Sequence, residues 1–383
     1  MMSEFITPKK IIYGENSLAL SGKYIAELGK KALIVTGKIV VTLDIFKQLT
    51  DMLDSEGIKY AVFTGITGEP TDTMINEGVE VYKKEDCDFL IGIGGGSPLD
   101  SMKAIGALVT GGGKISDYMG KVIETPLPPM AAIPTTAGTG SEATQFTVIT
   151  DSEKDIKMLL KGTVLIPDIA VVDGELTKSS PKGITASTAL DALTHAVEAY
   201  TSKKAQPLTD PYCISAVQKI FKYLPRAYKN GDDIEARNGL AIAALQAGIC
   251  INNSSVTIVH GMSRPIGALF HVAHGTSNAM LLEKCMAFAV DGAYDKFAEL
   301  GRAIGTAKAS DDDKTAAEKF IAALGDICRI CEIPTLEEYG IDKDKFFEVM
   351  DKMATDALAS GSPSNTIKEV TKEDILDLYK SLW

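Results

Sequence analysis

Apolar residues in the first half of the chain gather in short continuous runs. Ala32-Leu33-Ile34-Val35-Thr36, Tyr60-Ala61-Val62-Phe63 and Phe89-Leu90-Ile91-Gly92-Ile93 are the clearest, followed by Met130-Ala131-Ala132-Ile133-Pro134 and Ile169-Ala170-Val171-Val172. A run without polar alternation has no water-facing side, so it reads as a strand buried on both faces, as in a parallel sheet. Amphipathic segments near residues 43–56, 72–85 and 98–109 separate the runs. Strand and helix in alternation predict a doubly wound α/β domain. Gln145–Thr150 roughly alternates polar with apolar and Asp151-Ser152-Glu153 reads as a turn, so a β-hairpin is expected within 140–168.

Beyond about residue 180 the strand signals stop. Residues 184–200, 209–224, 233–250, 292–305, 312–331 and 343–358 read as helices. Leu240–Leu245 is apolar nearly all round, which predicts a buried helix. The expected organisation is an α/β domain over residues 1–180 and an all-α domain over 181–383. Domains usually meet along a cleft, the common place for a ligand.

Composition narrows the function. The 383 residues are 45% hydrophobic and 23% charged, ordinary values for a folded chain long enough for two domains. A net charge of -12 without a basic stripe argues against nucleic acid and anionic membranes as partners. The first ten residues lack an apolar signal core, and no stretch approaches the roughly 18 apolar residues of a membrane span, so a cytoplasmic protein is expected. Six cysteines in 383 residues do not suggest a disulfide framework, and Cys328-x-x-Cys331 lacks the second pair of a zinc ribbon.

Two loops point to a nucleotide. Gly92-Ile93-Gly94-Gly95-Gly96-Ser97-Pro98-Leu99-Asp100 follows a strand and opens a helix. Glycines bring backbone N–H groups close to a ligand, and a helix start favours an anion such as a pyrophosphate. Ser97 or Asp100 is expected to cap that helix. Pro134-Thr135-Thr136-Ala137-Gly138-Thr139-Gly140-Ser141-Glu142 also follows a strand and offers small and hydroxyl side chains. Together they fit a dinucleotide at the carboxyl edge of a parallel sheet. NAD sites often carry an acid after the first strand to bind the ribose 2′-hydroxyl. Here the chain reads Thr36-Gly37-Lys38, which leaves room and a positive charge, so NADP is favoured over NAD.

The chain has four histidines, His195, His260, His271 and His274, all in the helical half. Asp191 and His195 stand at i and i+4, so they project from one helix face. His260-Gly261 and His274-Gly275 lie fourteen residues apart, ~21 Å along a straight helix. Pro265 and Gly267 are expected to break the helix and let both imidazoles reach the Asp191–His195 face. One carboxylate and three imidazoles make a plausible set for a divalent first-row metal. His271 is read as a residue lining the site near the substrate.

These motifs, Gly94-Gly95-Gly96-Ser97-x-x-Asp100, Pro134–Glu142, Asp191-Ala192-Leu193-Thr194-His195-Ala196-Val197-Glu198 and His260-Gly261-Met262 with His274-Gly275, resemble those of the iron-containing alcohol dehydrogenases over nearly the whole chain. The resemblance implies an N-terminal dinucleotide-binding domain, a C-terminal helical domain that holds metal and substrate, and NAD(P)-linked interconversion of small primary alcohols or diols with aldehydes. It assigns Asp191, His195, His260 and His274 to Fe(II), with Zn second. Gly94, Gly95, Gly96, Ser97 and Asp100 are assigned to the pyrophosphate loop, Thr135, Thr136 and Thr139 to the cofactor, and Lys157 to its ribose. Gly37 and Lys38 complete the cofactor residues, and a homo-oligomer, a dimer or larger, is implied. The chain departs from the family pattern at Arg264, where many relatives have His, so His271 is the candidate catalytic histidine. It departs also at Gly37, where many have Asp, and at Glu283, where Pro is usual. Two other functions stay open on the residues alone. A non-redox lyase of the dehydroquinate synthase type would need a basic, polyanion-gripping site, and Arg264 is the one obvious base in the ligand region. A non-catalytic nucleotide-binding protein would have no use for an open metal position.

Overall fold

A computed structural model of the chain describes residues 3–154 and 156–383, which fall into two compact units. One spans Ile6–Ser180, and the other holds Pro181–Trp383 with the first residues up to Phe5.

The Ile6–Ser180 unit is built on a six-stranded sheet of β1 (Lys10–Tyr13), β2 (Lys31–Val35), β3 (Lys59–Phe63), β4 (Phe89–Gly94), β5 (Met130–Pro134) and β8 (Ile169–Val172). The order is β1-β8-β5-β4-β2-β3 and every pairing is parallel. The apolar runs owe their continuity to this arrangement. Leu33 and Val35 enter one core, while Ala32 and Ile34 on the same strand enter another. Two one-turn helices, α1 (Ser17–Leu20) and α2 (Gly22–Ile25), and the longer α3 (Asp44–Ser55) cover the second face; α4 (Asp72–Lys84) and α5 (Gly96–Gly111) cover the first. The hairpin is β6 (Phe146–Asp151) paired antiparallel with β7 (Ile156–Lys161). Strand β1 carries no sequence signal, being four partly exposed residues at the sheet edge that pair with β8, over 150 positions away.

The Pro181–Trp383 unit is helical: α6 (Lys182–Tyr200), α7 (Asp210–Lys229), α8 (Ile234–Asn253), α9 (Ile258–Phe270), α10 (His274–Ala289), α11 (Tyr294–Ala303), α12 (Asp313–Ile330), α13 (Lys343–Ala359) and α14 (Lys372–Lys380). Helix α6 is buried along almost all its length and packs against α7, α8 and α10. Glu283 acquires a structural role here. Its carboxylate lies where a Cβ on Gly325 of α12 would stand, at 2.4 Å, and approaches Arg329 at 3.7 Å, tying α10 to α12. Among the described residues no single helix is long and apolar enough to cross a membrane.

The bend between His260 and His274 differs from expectation. Helix α9 runs through Pro265 and Gly267 and stops at Phe270. The chain turns at His271, whose φ of 54° is left-handed, and α10 begins at His274 itself. Pro265 forfeits one helical hydrogen bond without ending the helix, and the turn is made where the backbone changes hand.

Candidate metal centre and nucleotide loops

Three helices converge in the Pro181–Trp383 unit. Asp191 and His195 share a face of α6, His260 stands in the first turn of α9, and His274 is the first residue of α10. Asp191 Oδ1 lies 3.8 Å from His195 Nε2, 3.7 Å from His260 Nε2 and 3.7 Å from His274 Nε2. Asp191, His195 and His260 are buried, and each offers a ligand atom within 4.8 Å of the others. The His195 and His260 rings stack with centroids 4.7 Å apart. Metal–ligand bonds of about 2.0–2.2 Å place neighbouring ligand atoms some 3–4 Å apart, so the donor spacing fits one cation. The side chain of His274 is 43% exposed, leaving this corner open.

The two His-Gly pairs have a packing reason. A Cβ on Gly275 would fall 2.3 Å from the Ser187 carbonyl oxygen of α6, and one on Gly261 would fall 2.6 Å from Pro363 Cγ. Glycine after each histidine lets the backbone come close enough to deliver the imidazole. Gly275→Ala is therefore expected to push α10 off α6. Overpacking of this kind costs about 1–3 kcal/mol, so both melting temperature and bound metal should fall, read by calorimetry and elemental analysis.

Two residues that the sequence reading left without a role hold the ligands in place. Glu198, two turns after Asp191 on α6, is fully buried. Its Oε2 lies 2.5 Å from His260 Nδ1, and its Oε1 accepts from Thr257 Oγ1 at 2.8 Å and Val259 N at 2.7 Å. A carboxylate at Nδ1 keeps a proton there and frees Nε2 as a lone-pair donor. Asn278, one turn after His274, donates from Nδ2 to Asp191 Oδ1 at 2.7 Å and lies 3.2 Å from both His260 Nε2 and His274 Nε2. Its Oδ1 is buried without a partner. The amide therefore sits in the space between the carboxylate and the two imidazoles that a cation would take. Spacing alone could have flagged both, but Glu and Asn at i+3 or i+4 from a histidine are common on ordinary helices.

Charge is strongly organised here. Burial works to raise the Asp191 pKa, but the surrounding imidazoles outweigh it and hold the carboxyl well below the usual range. Burial likewise opposes ionisation of Glu198, and the His260 charge reverses that. His260 is depressed by burial, yet Glu198 and Asp191 lift it to about 9. His274 goes the other way, down to about 4, because burial, with His260, His195 and Arg264 nearby, outweighs the pull of Asp191.

Glu198→Gln isolates the tautomer argument. With Oε1 still accepting from Thr257 and Val259, the new amide N–H would donate to His260 Nδ1 and drive its proton to Nε2. Loss of such an outer partner typically costs 10- to 100-fold in metal affinity. A chelator-competition titration of Glu198→Gln should show a loss on that order.

In the Ile6–Ser180 unit, Gly94 takes a φ of 148°, and Gly95 caps α5 without a side-chain hydrogen bond. The first amides of α5 are thereby left for another acceptor. Capping by Ser97 or Asp100 does not occur. Asp100 instead accepts from Ser141 Oγ at 2.6 Å and Val148 N at 2.8 Å, so its carboxylate ties the two loops together. The loops also touch directly. Thr135 N donates to Gly94 O at 2.8 Å, and a Cβ on Gly96 would meet Thr139 Cγ2 at 2.8 Å. Thr136 lies 3.5 Å from the position of a Gly95 Cβ. Lys103, fully buried, donates to the Thr144 carbonyl and hydroxyl and to the Phe146 carbonyl, fixing the far end of the second loop. The chain's order reverses between β2 and β4, the kind of switch point where dinucleotides bind. Gly37 and Lys38 follow β2 at one side of that point and Gly94–Ser97 follow β4 at the other. Lys157 is paired with Glu69 at 2.7 Å on the exposed face of β7. His271 is exposed at the end of α9 and makes no hydrogen bond or ion pair among the described residues.

Comparison with known proteins bears on both units. A family model described as iron-containing alcohol dehydrogenase matches residues 8–174, and one described as the C-terminal part of the Fe-containing alcohol dehydrogenase family matches 185–383. The chain is 36% identical to an NAD-dependent methanol dehydrogenase of Bacillus methanolicus, covering 99% of this chain and 100% of that protein. It is 34% identical to a lactaldehyde reductase of Escherichia coli strain K12, covering 92% of each. A crystal structure of a 1,3-propanediol oxidoreductase superposes with a TM-score of 0.96 at 33% identity over 100% of both chains.

Proposed function

The chain belongs to the iron-containing alcohol dehydrogenase family, and we propose that it is a metal-dependent, NAD(P)-linked enzyme interconverting small primary alcohols or diols and aldehydes. The observation that carries this reading is Asp191 Oδ1 within 3.7–3.8 Å of three imidazole Nε2 atoms. The relatives named above are dehydrogenases, reductases or oxidoreductases acting on small alcohols or aldehydes, and none is a lyase.

Asp191, His195, His260 and His274 would hold the cation. When bound, it supplies Lewis-acid polarisation of the substrate oxygen, and the nicotinamide supplies the hydride. The protein's part is to place and tune these groups. Asp191 brings a negative charge to an otherwise neutral imidazole set. Glu198 orients His260, and Asn278 holds Asp191 Oδ1. The exposed edge of His274 leaves room for a substrate oxygen. His271 is proposed to exchange protons with solvent near the substrate. Gly94–Ser97 would take the pyrophosphate on the free amides of α5, with Thr135, Thr136 and Thr139 beside it. Asp100 serves by tying the two loops, and Lys157 would reach the ribose by leaving Glu69. Gly37 and Lys38 support acceptance of a 2′-phosphate, so NADPH should be used at least as well as NADH. Iron is the expected metal, and a homo-oligomer in the cytoplasm is the expected form.

Elemental analysis of the purified protein, paired with NADH and NADPH oxidation across a panel of short aldehydes, tests this reading. The expected result is about one Fe or Zn per chain and aldehyde-dependent oxidation that a chelator abolishes. Metal-free protein with full activity would overturn it.

A further inference from the structure

The chain contains five arginines. Four are held by the protein: Arg226 by Asp233 and Glu235, Arg237 by the Gly231 carbonyl and Thr185, Arg302 by the Asp311 carbonyl and Asp313, and Arg329 by Asp326. Arg264 alone has no hydrogen bond or ion pair among the described residues, although it is half-buried. It stands one turn beyond His260 on α9, so the two side chains share a helix face. Its charge is felt at His274.

The carboxylate whose field reaches Arg264 is Glu198, and both Glu198 oxygens are already engaged by Thr257, Val259 and His260. Asp191 is likewise surrounded by imidazoles and Asn278. The fold therefore keeps a guanidinium beside the metal ligands and supplies no acceptor for it. A charged group in that state is costly unless something else pairs with it. Unbranched neutral alcohols offer the planar fork nothing, whereas a carboxylate matches it with two parallel hydrogen bonds.

We propose that Arg264 forms a subsite for an anionic group, a carboxylate in the first instance, carried by the aldehyde or alcohol substrate. The preferred substrates are then short ω-oxo or ω-hydroxy acids rather than unsubstituted alcohols. This rests on the alcohol dehydrogenase reading above and deepens it. Arg264 acts as a specificity residue, binding the end of the substrate that does not react.

The test compares succinate semialdehyde with butanal, and glyoxylate with propanal, on the metal-loaded enzyme and on Arg264→Gln and Arg264→Lys. Wild type should prefer the charged member of each pair in kcat/KM. In Arg264→Gln the charged-to-neutral ratio should fall on the order of 10- to 100-fold, the range set by a charge-assisted hydrogen bond. Arg264→Lys, which keeps the charge and loses the fork, should fall between. Butyrate should inhibit wild type competitively against butanal far more strongly than butyramide does. Metal content, melting temperature and NADH affinity are measured on each variant. Wild type with no preference for the charged aldehydes overturns the proposal, and so does a ratio unchanged in Arg264→Gln or a loss confined to NADH affinity. Should Arg264→Gln fail to fold, the wild-type ratio, the butyrate inhibition and Arg264→Lys decide the matter. If no aldehyde of either kind is reduced, the alcohol dehydrogenase reading itself has failed.

Discussion

Asp191→Asn is expected to purify without metal and to lose turnover by at least roughly 10³-fold, while still binding NADH. Asparagine matches the shape of the side chain and can accept the same hydrogen bond from Asn278. What it removes is the one negative charge among the proposed ligands, at a position only 3% exposed. A divalent cation there would then have to be desolvated against neutral imidazoles alone, which buried charges tolerate poorly. Lewis-acid assistance contributes several kcal/mol to reactions of this kind, and each 1.36 kcal/mol is a factor of ten. Cofactor binding should survive because Gly94–Ser97 and Thr135–Thr139 belong to the other compact unit. Metal analysis after dialysis, steady-state aldehyde reduction and a fluorescence titration with NADH separate these outcomes. A variant that retains stoichiometric metal would show that Asp191 is no ligand.

The parallel sheet is legible in the sequence because a strand buried on two faces must be apolar at every position, as Ala32-Leu33-Ile34-Val35 is. Strand β1 is not legible, since Lys10–Tyr13 becomes a strand only by pairing with β8, a partner fixed by tertiary structure. The route from His260 to His274 shows the same limit. Local rules pick Pro265 as the breaker, but α9 is held by its packing and the chain turns at His271 instead. Histidine is enriched among the few non-glycine residues in the left-handed region, but so few adopt it that residue type alone does not mark this turn. In the site, Asp191 and His195 follow from i, i+4 spacing, and His260 and His274 stand out because histidine is so scarce. Glu198 and Asn278 have equally regular spacing but are of common residue types, and only burial distinguishes them from surface polar groups. Lys157 is assigned to the ribose by the resemblance alone, and the structure pairs it with Glu69, a contact that the cofactor would have to open.

Metal uptake should be strongly pH-dependent, with affinity rising as pH rises. In the metal-free site His260 is lifted to about 9 by Glu198 and Asp191, so at neutral pH it is an imidazolium with both ring nitrogens protonated. A cation can bind Nε2 only after that proton leaves, and metal binding is then coupled to proton release. Below pH ~9 each unit of pH should raise the apparent affinity by about tenfold, and above it the slope should flatten. His274, lowered to about 4, is already neutral and adds nothing to this slope until the solution is acidic. Stability of the metal-free protein runs in the reverse direction. A histidine raised on folding stabilises the folded state fully below its unfolded pKa of about 6.5, and that contribution is lost as pH climbs through about 9. Raising the pH from 7 to 9 should therefore weaken the metal-free fold while tightening its hold on a cation. Chelator-buffered titrations and melting curves over that interval test the two slopes together. Glu198→Gln, which removes the carboxylate that holds the proton on His260, should lessen both. Affinity independent of pH in the wild type would mean that the His260 proton is not displaced by the metal.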